Sequence, residues 1–144
     1  MNRLFRIVLA VTLIIVMGVP SVVFAERASN YIISYMGAPA SPGGKTVQVG
    51  FSITAKDYMD DIGATDIYLY EKLPSSSTWS QVKYYHYTQS GNSNMMSTNK
   101  SIYSSYVSYT GISGRQYYAK IYFWAGKNGG GDSREYITQI YTLP

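Results

Sequence analysis

The chain has 144 residues, no cysteine, 16 tyrosines and a net charge of +4, half of it supplied by Arg3 and Arg6 near the start. The remaining positive charge is small and its lysines stand singly, which argues against the basic stripe of a nucleic-acid binder. Without thiols there can be no disulfide, no cysteine nucleophile and no thiolate zinc site.

Residues 1–25 read as a secretory signal peptide. Arg3 and Arg6 make a basic start, and residues 7–17 are apolar except for Thr12. Gly18 and Pro20 follow as helix breakers, and Val23-Phe24-Ala25 suits a cut before Glu26. An apolar run of 10–14 residues is too short for a spanning helix, so the expected product is an exported domain, residues 26–144, with no membrane attachment after cleavage. A chain of this length is one domain with a core large enough to stand without staples.

Beyond the leader the sequence alternates between β-prone runs and turn signals. Residues 31–36 (YIISYM) form a short apolar run, and 37–44 (GAPASPGG) read as loop. Residues 46–55 alternate, with Val47, Val49, Phe51 and Ile53 on one face, the pattern of a half-buried antiparallel strand. Residues 57–65 read as a polar loop. Residues 66–72 alternate again, Ile67 and Leu69 against Tyr68 and Tyr70. After a turn at 74–77, residues 79–88 (WSQVKYYHYT) predict a strand with Val82, Tyr84 and His86 on one face. A loop at 89–94 leads to a serine-rich strand at 102–110 and a short turn at 111–114. Residues 116–125 (QYYAKIYFWA) are strongly β-prone. A glycine-rich loop at 126–133 (GKNGGGDS) and a strand at 135–143 close the domain. About seven short strands, with no ten-residue segment of helical period, predict an all-β antiparallel sandwich, with a small closed barrel as the alternative.

The segment GISGRQYYAKIY, residues 111–122, resembles a corner and the strand after it in fibronectin type III and other immunoglobulin-like domains. The resemblance implies a corner with Ile112 as its apolar residue and Gly114 as its turn. Tyr117 would be the corner tyrosine, its hydroxyl bonded to the chain just upstream, with Ala119, Ile121 and Phe123 pointing inward. Tyr118 competes with Tyr117 for that role, Ser113-Gly114 stands where Pro-Gly is usual, and Phe51 replaces a usual tryptophan. The wider pattern is similar to small secreted proteins of Gram-positive bacteria. It implies a fold and a location but no activity.

No constellation in the sequence predicts an enzyme. The single histidine, His86, lies in a tyrosine-rich strand, and no serine sits in a nucleophile elbow. Asp57, Asp60, Asp61 and Asp66 are oxygen donors of the type calcium takes, but their spacing does not match a calcium loop, so no metal site is expected. The glycine-rich stretch lacks both phosphate-loop patterns and lies between strands, so no cofactor is expected. It reads as a hairpin loop (the F–G loop of fibronectin-like domains) offering Lys127, Asn128, Asp132 and Arg134 for contacts.

Tyrosine is the feature in excess, and all 16 lie beyond residue 25. If the strands at 66–72 and 116–125 are sheet neighbours, Tyr68, Tyr70, Tyr118, Tyr122 and Trp124 share one outer face, joined by Tyr85 from the strand at 79–88. Tyrosine offers large contact area at low entropy cost, with a hydroxyl at its tip. The expected function is a secreted, non-enzymatic binding module whose partner is a protein or carbohydrate, acting as a monomer or weak homo-oligomer. The alternatives are a self-associating accessory protein of the cell envelope and, last, a hydrolase using His86.

Overall fold

The computed structural model describes residues 29–144. The leader expected at 1–25 lies outside the described residues. Two antiparallel sheets form a β-sandwich. In the first, β1 (Ile32–Ala40), β2 (Thr46–Met59) and β6 (Lys100–Thr110) are hydrogen-bonded in that order. In the second, the order is β4 (Ser80–His86), β3 (Asp61–Lys72), β7 (Gln116–Lys127) and β8 (Gly130–Ile137). Two short strands complete it, β5 (Met96–Ser97) on β3 and β9 (Tyr141–Thr142) on β7.

The core lies between the sheets and is built from the faces that alternation assigns. Val47, Val49, Phe51 and Ile53 of β2 meet Ile67 and Leu69 of β3 and Tyr117, Ala119, Ile121 and Phe123 of β7, all buried. Phe51 and Phe123 meet edge to face, their centroids 6.2 Å apart. Each fully buried aliphatic side chain here contributes about 1.5–3 kcal/mol relative to exposure.

Several segments depart from the sequence reading, among them the expected strand at 135–143, which is broken: β8 ends at Ile137 and only Tyr141–Thr142 pairs again, on β7. Residues 57–65 are not a loop: β2 runs to Met59, β3 starts at Asp61, and Met59, Ile62 and Ala64 are buried. The aspartates there mark a sharp passage from one sheet to the other, where the alternation breaks: residues 56–58 are exposed, residues 62–64 are buried, and the register shifts on both strands. Residues 126–133 are mostly strand. A two-residue turn, Asn128-Gly129, joins β7 to β8, with φ of 53° and 77°. Two successive positive φ values are what a type I′ hairpin turn requires, and Asn-Gly is its favoured pair. At the start, β1 continues to Ala40, and Pro39 is tolerated because β1 is an edge strand.

Of the corner expected at residues 111–117, Tyr117 takes the tyrosine role and Gly114 turns the chain at φ 80°, but Ile112, the expected apolar residue, is 49% exposed. The Tyr117 hydroxyl accepts a hydrogen bond from the Ile112 N–H at 2.8 Å. It also donates to Glu71 Oε2, and Arg115 pairs with the other oxygen of that carboxylate. Glu71 is only 7% exposed, so both partners are needed to hold its charge in the interior. Burial, with Glu71 second, pushes the Tyr117 hydroxyl up to about 12.

Candidate binding face

The outer face of the larger sheet, across β4, β3, β7 and β8, is set by strand register. β3 and β7 pair Tyr70 with Tyr118 and Asp66 with Tyr122, and β3 and β4 pair Tyr68 with Tyr84. Residues directly opposite share a face, and because Ile67 and Leu69 point inward, these tyrosines point outward. The rings then pack in two groups. Tyr70 and Tyr118 stack at 4.8 Å with planes only 7° apart, and Tyr68 and Tyr84 stack at 4.7 Å. Tyr122 meets Tyr68 edge-on at 6.0 Å, and Trp79 meets Tyr118 edge-on at 4.7 Å. The Lys72 ammonium lies over the Trp79 ring. All of these rings are half-buried.

The hydroxyls at the rim are held neutral. The Tyr84 hydroxyl donates to Asp66 Oδ1 at 2.6 Å, and that carboxylate pushes its pKa well above the usual tyrosine range. Glu135, opposite Tyr122 on β8, pushes the Tyr122 hydroxyl up to about 12. Tyr118 is raised by burial and then by Tyr70. Because the stacked rings cover each other's faces, the sheet shows the outside ring edges and hydroxyl tips. Such a surface combines apolar contact with hydrogen-bonding groups.

Of the expected face, Tyr68, Tyr70, Tyr118 and Tyr122 come together, and Trp124 lies further along β7 on the same side. Tyr85 does not belong to it. It pairs with Ile67, is 5% exposed, and donates its hydroxyl across the sandwich to the Ser108 carbonyl at 2.7 Å. Burial pushes it up to about 12. In the run Tyr84-Tyr85-His86-Tyr87 both phases of a strand are aromatic, so composition cannot choose between them. The Tyr68–Tyr84 pairing chooses, and Tyr84 takes the place expected of Tyr85. A bulge between Gln81 and Lys83 also lets Val82 pack against the core, away from the face of Tyr84 and His86. Trp79 is the other member of the face that sequence reading missed; it precedes β4, where no alternation phase applies.

The residues expected to offer loop contacts have partners within the domain. Lys127 pairs with Asp57, and the Asn128 N–H donates to Asp60 Oδ2 at 2.7 Å. Asp132 accepts from the Ser29 hydroxyl at 2.6 Å and the Asn30 N–H at 3.0 Å, while Arg134 donates to the Ser133 carbonyl. These bonds tie the β7–β8 turn to the β2–β3 passage and to the start of the domain. They also disperse the aspartates: the hydrogen bond from Lys127 holds Asp57 below the usual carboxylate range. No group of three or more His, Cys, Asp or Glu placed to hold a metal ion occurs among the described residues. His86 Nδ1 lies 2.7 Å from the Thr88 hydroxyl two residues on, and Nε2 lies 3.9 Å from Asp66. This is a local turn contact on the sheet surface. No protein-family model matches the chain, and no curated protein matches it.

Proposed function

We propose that this protein is a secreted, non-enzymatic binding module whose partner meets the tyrosine face of its larger sheet. The observation that carries the proposal is the gathering of six aromatic rings on one side of one sheet, in two groups side by side: Trp79, Tyr118 and Tyr70 in one, Tyr84, Tyr68 and Tyr122 in the other. Half-buried aromatics with hydroxyl tips suit a protein surface or a carbohydrate. The strand orders β1-β2-β6 and β4-β3-β7-β8, together with the Tyr117 corner, support an immunoglobulin-like, fibronectin III-like sandwich. The leader at residues 1–25 supports export, and the lack of cysteine fits a Gram-positive source. The test is a screen of the protein against glycans and cell-wall preparations, with a Tyr68→Ser, Tyr122→Ser variant alongside. Binding by the wild type that weakens about tenfold or more in the variant supports the proposal; equal binding by both removes it.

A second reading, self-association, is favoured by the outside of the other sheet. There Met36 is 63% exposed, Ile102 61% and Tyr106 52%. Met36 lines a shallow groove of about 290 Å³ with Ala38, Gly50, Ser52 and Ser104, and Ile102 and Tyr106 lie two residues to either side of Ser104 on β6. Concentration-dependent light scattering that disappears in a Met36→Ser, Tyr106→Ser variant is the expected signature of that reading.

A further inference from the structure

Trp124 differs from every other aromatic on the outer face of the larger sheet. The tyrosines cover one another, whereas Trp124 makes no ring contact among the described residues. Its indole is laid down over glycine. A Cβ on Gly131 would come within 2.4 Å of Cζ2, and one on Gly126 within 2.8 Å of Nε1. Gly126 and Gly131 are cross-strand partners on β7 and β8, and neither has a positive φ. What requires glycine at these two positions is the ring lying over them.

The indole forms one wall of a cleft of about 360 Å³ lined also by Asp61, Thr65, Tyr87 and Met96. Two polar groups in it are unused. The Asp61 carboxylate makes no hydrogen bond or ion pair among the described residues, although Asp57, Asp60 and Asp66 all do. The indole N–H is likewise unpaired, and it is not among the buried unsatisfied atoms, so solvent reaches it. The Thr65 hydroxyl donates to the Tyr122 carbonyl at 3.3 Å and keeps its lone pairs as acceptors. The cleft thus offers an aromatic wall, a donor at the edge of that wall, and an acidic acceptor.

We propose that this cleft is a stacking subsite for an uncharged pyranose ring, with Trp124 under the apolar face of the sugar and Asp61 accepting from its hydroxyls. A sugar ring carries C–H groups on one face and donors and acceptors around its edge, matching an aromatic surface bordered by a donor and an acceptor. An organic cation would use the aromatic surface and the carboxylate and leave the indole N–H without a partner. This proposal rests on reading the same sheet face as the binding surface and names a ligand class for one end of it.

The chain has two tryptophans, Trp79 and Trp124, so subtracting the emission change of a Trp124→Phe variant from that of the wild type isolates the Trp124 indole. We expect a saturable change in its emission on titration with at least one of cellotetraose, xylotetraose and chitotetraose. Calorimetry should show affinity weakened about tenfold or more by Trp124→Ala, and comparably by Asp61→Ala, since an aromatic surface or a charged hydrogen bond is each worth that much. Asp61→Asn, which keeps an acceptor without the charge, should stay within a few-fold of wild type. Asp61 is exposed, so its variants fold even if Trp124→Ala does not. No emission change with any of the three sugars overturns the proposal. So does binding of choline, with none of the sugars, that is lost in Asp61→Asn. If the sugars fail while another ligand still depends on Tyr68 and Tyr122, the face remains a binding surface and only this subsite is withdrawn.

Discussion

Tyr117 ties the core to the chain segment that precedes its strand and to a buried carboxylate. It is wholly buried, accepts from the Ile112 N–H and donates to a buried carboxylate. Tyr117→Phe would preserve the packing but leave both partners short of a bond. We expect a loss of about 1–3 kcal/mol, the cost of an unsatisfied buried polar group, seen in urea as a lower midpoint with an unchanged slope. The inward direction of Tyr117 was legible from the alternation of residues 117–123, and its hydroxyl bond from the corner resemblance. Glu71 was not legible. Its burial depends on residues far along the chain: Tyr117 pairs with it on the neighbouring strand, and Arg115 reaches it from just before that strand. Tyr85 was misplaced for the converse reason, since aromatics on both sides of it hide the phase.

At the scale of elements, the β7–β8 hairpin shows what composition conceals. Four glycines in GKNGGGDS and its flank read as a loop, yet they have different roles. Gly129 sits at φ 77° with open space around it, whereas Gly131 and Gly126 lie under an indole. Gly129→Ala should therefore act through the backbone alone, costing about 1–2 kcal/mol, and Gly129→Asn should recover part of this in thermal melts, because asparagine tolerates the left-handed region. The neighbouring Asp57–Lys127 pair is largely solvent-exposed. A double-mutant cycle should return a coupling below about 1 kcal/mol that shrinks with added salt. The strands with an uninterrupted two-residue period were legible in the sequence. The β2–β3 passage and this hairpin were not, because charge and glycine there serve bends and ring seats and only resemble loop signals.

For the whole molecule, tyrosine abundance couples stability to alkaline pH. Tyr85 and Tyr117 are both raised from 10.0 to about 12 in the fold. Below pH 10 both are protonated in the folded and unfolded states, so their contribution is fully present. Between about 10 and 12 the unfolded chain releases these protons while the fold retains them, so stability falls by about 1.4 kcal/mol per pH unit for each group. Absorbance titration near the tyrosinate band should show a late-titrating subset whose release coincides with unfolding, and Tyr85→Phe should shift unfolding to higher pH. The sandwich also presents two different outer surfaces, one of paired aromatic rings and the other of serines and small residues with Met36, Ile102 and Tyr106 exposed among them, and the proposed function distinguishes them. The most direct measurement is binding to the same glycan and cell-wall panel by three proteins: wild type, the Tyr68→Ser, Tyr122→Ser variant and the Met36→Ser, Tyr106→Ser variant, all with matching circular dichroism. We predict that binding is lost in the tyrosine-face variant and kept in the other; retention by the tyrosine-face variant, or loss confined to the Met36, Tyr106 variant, would contradict the assignment of function to the tyrosine face.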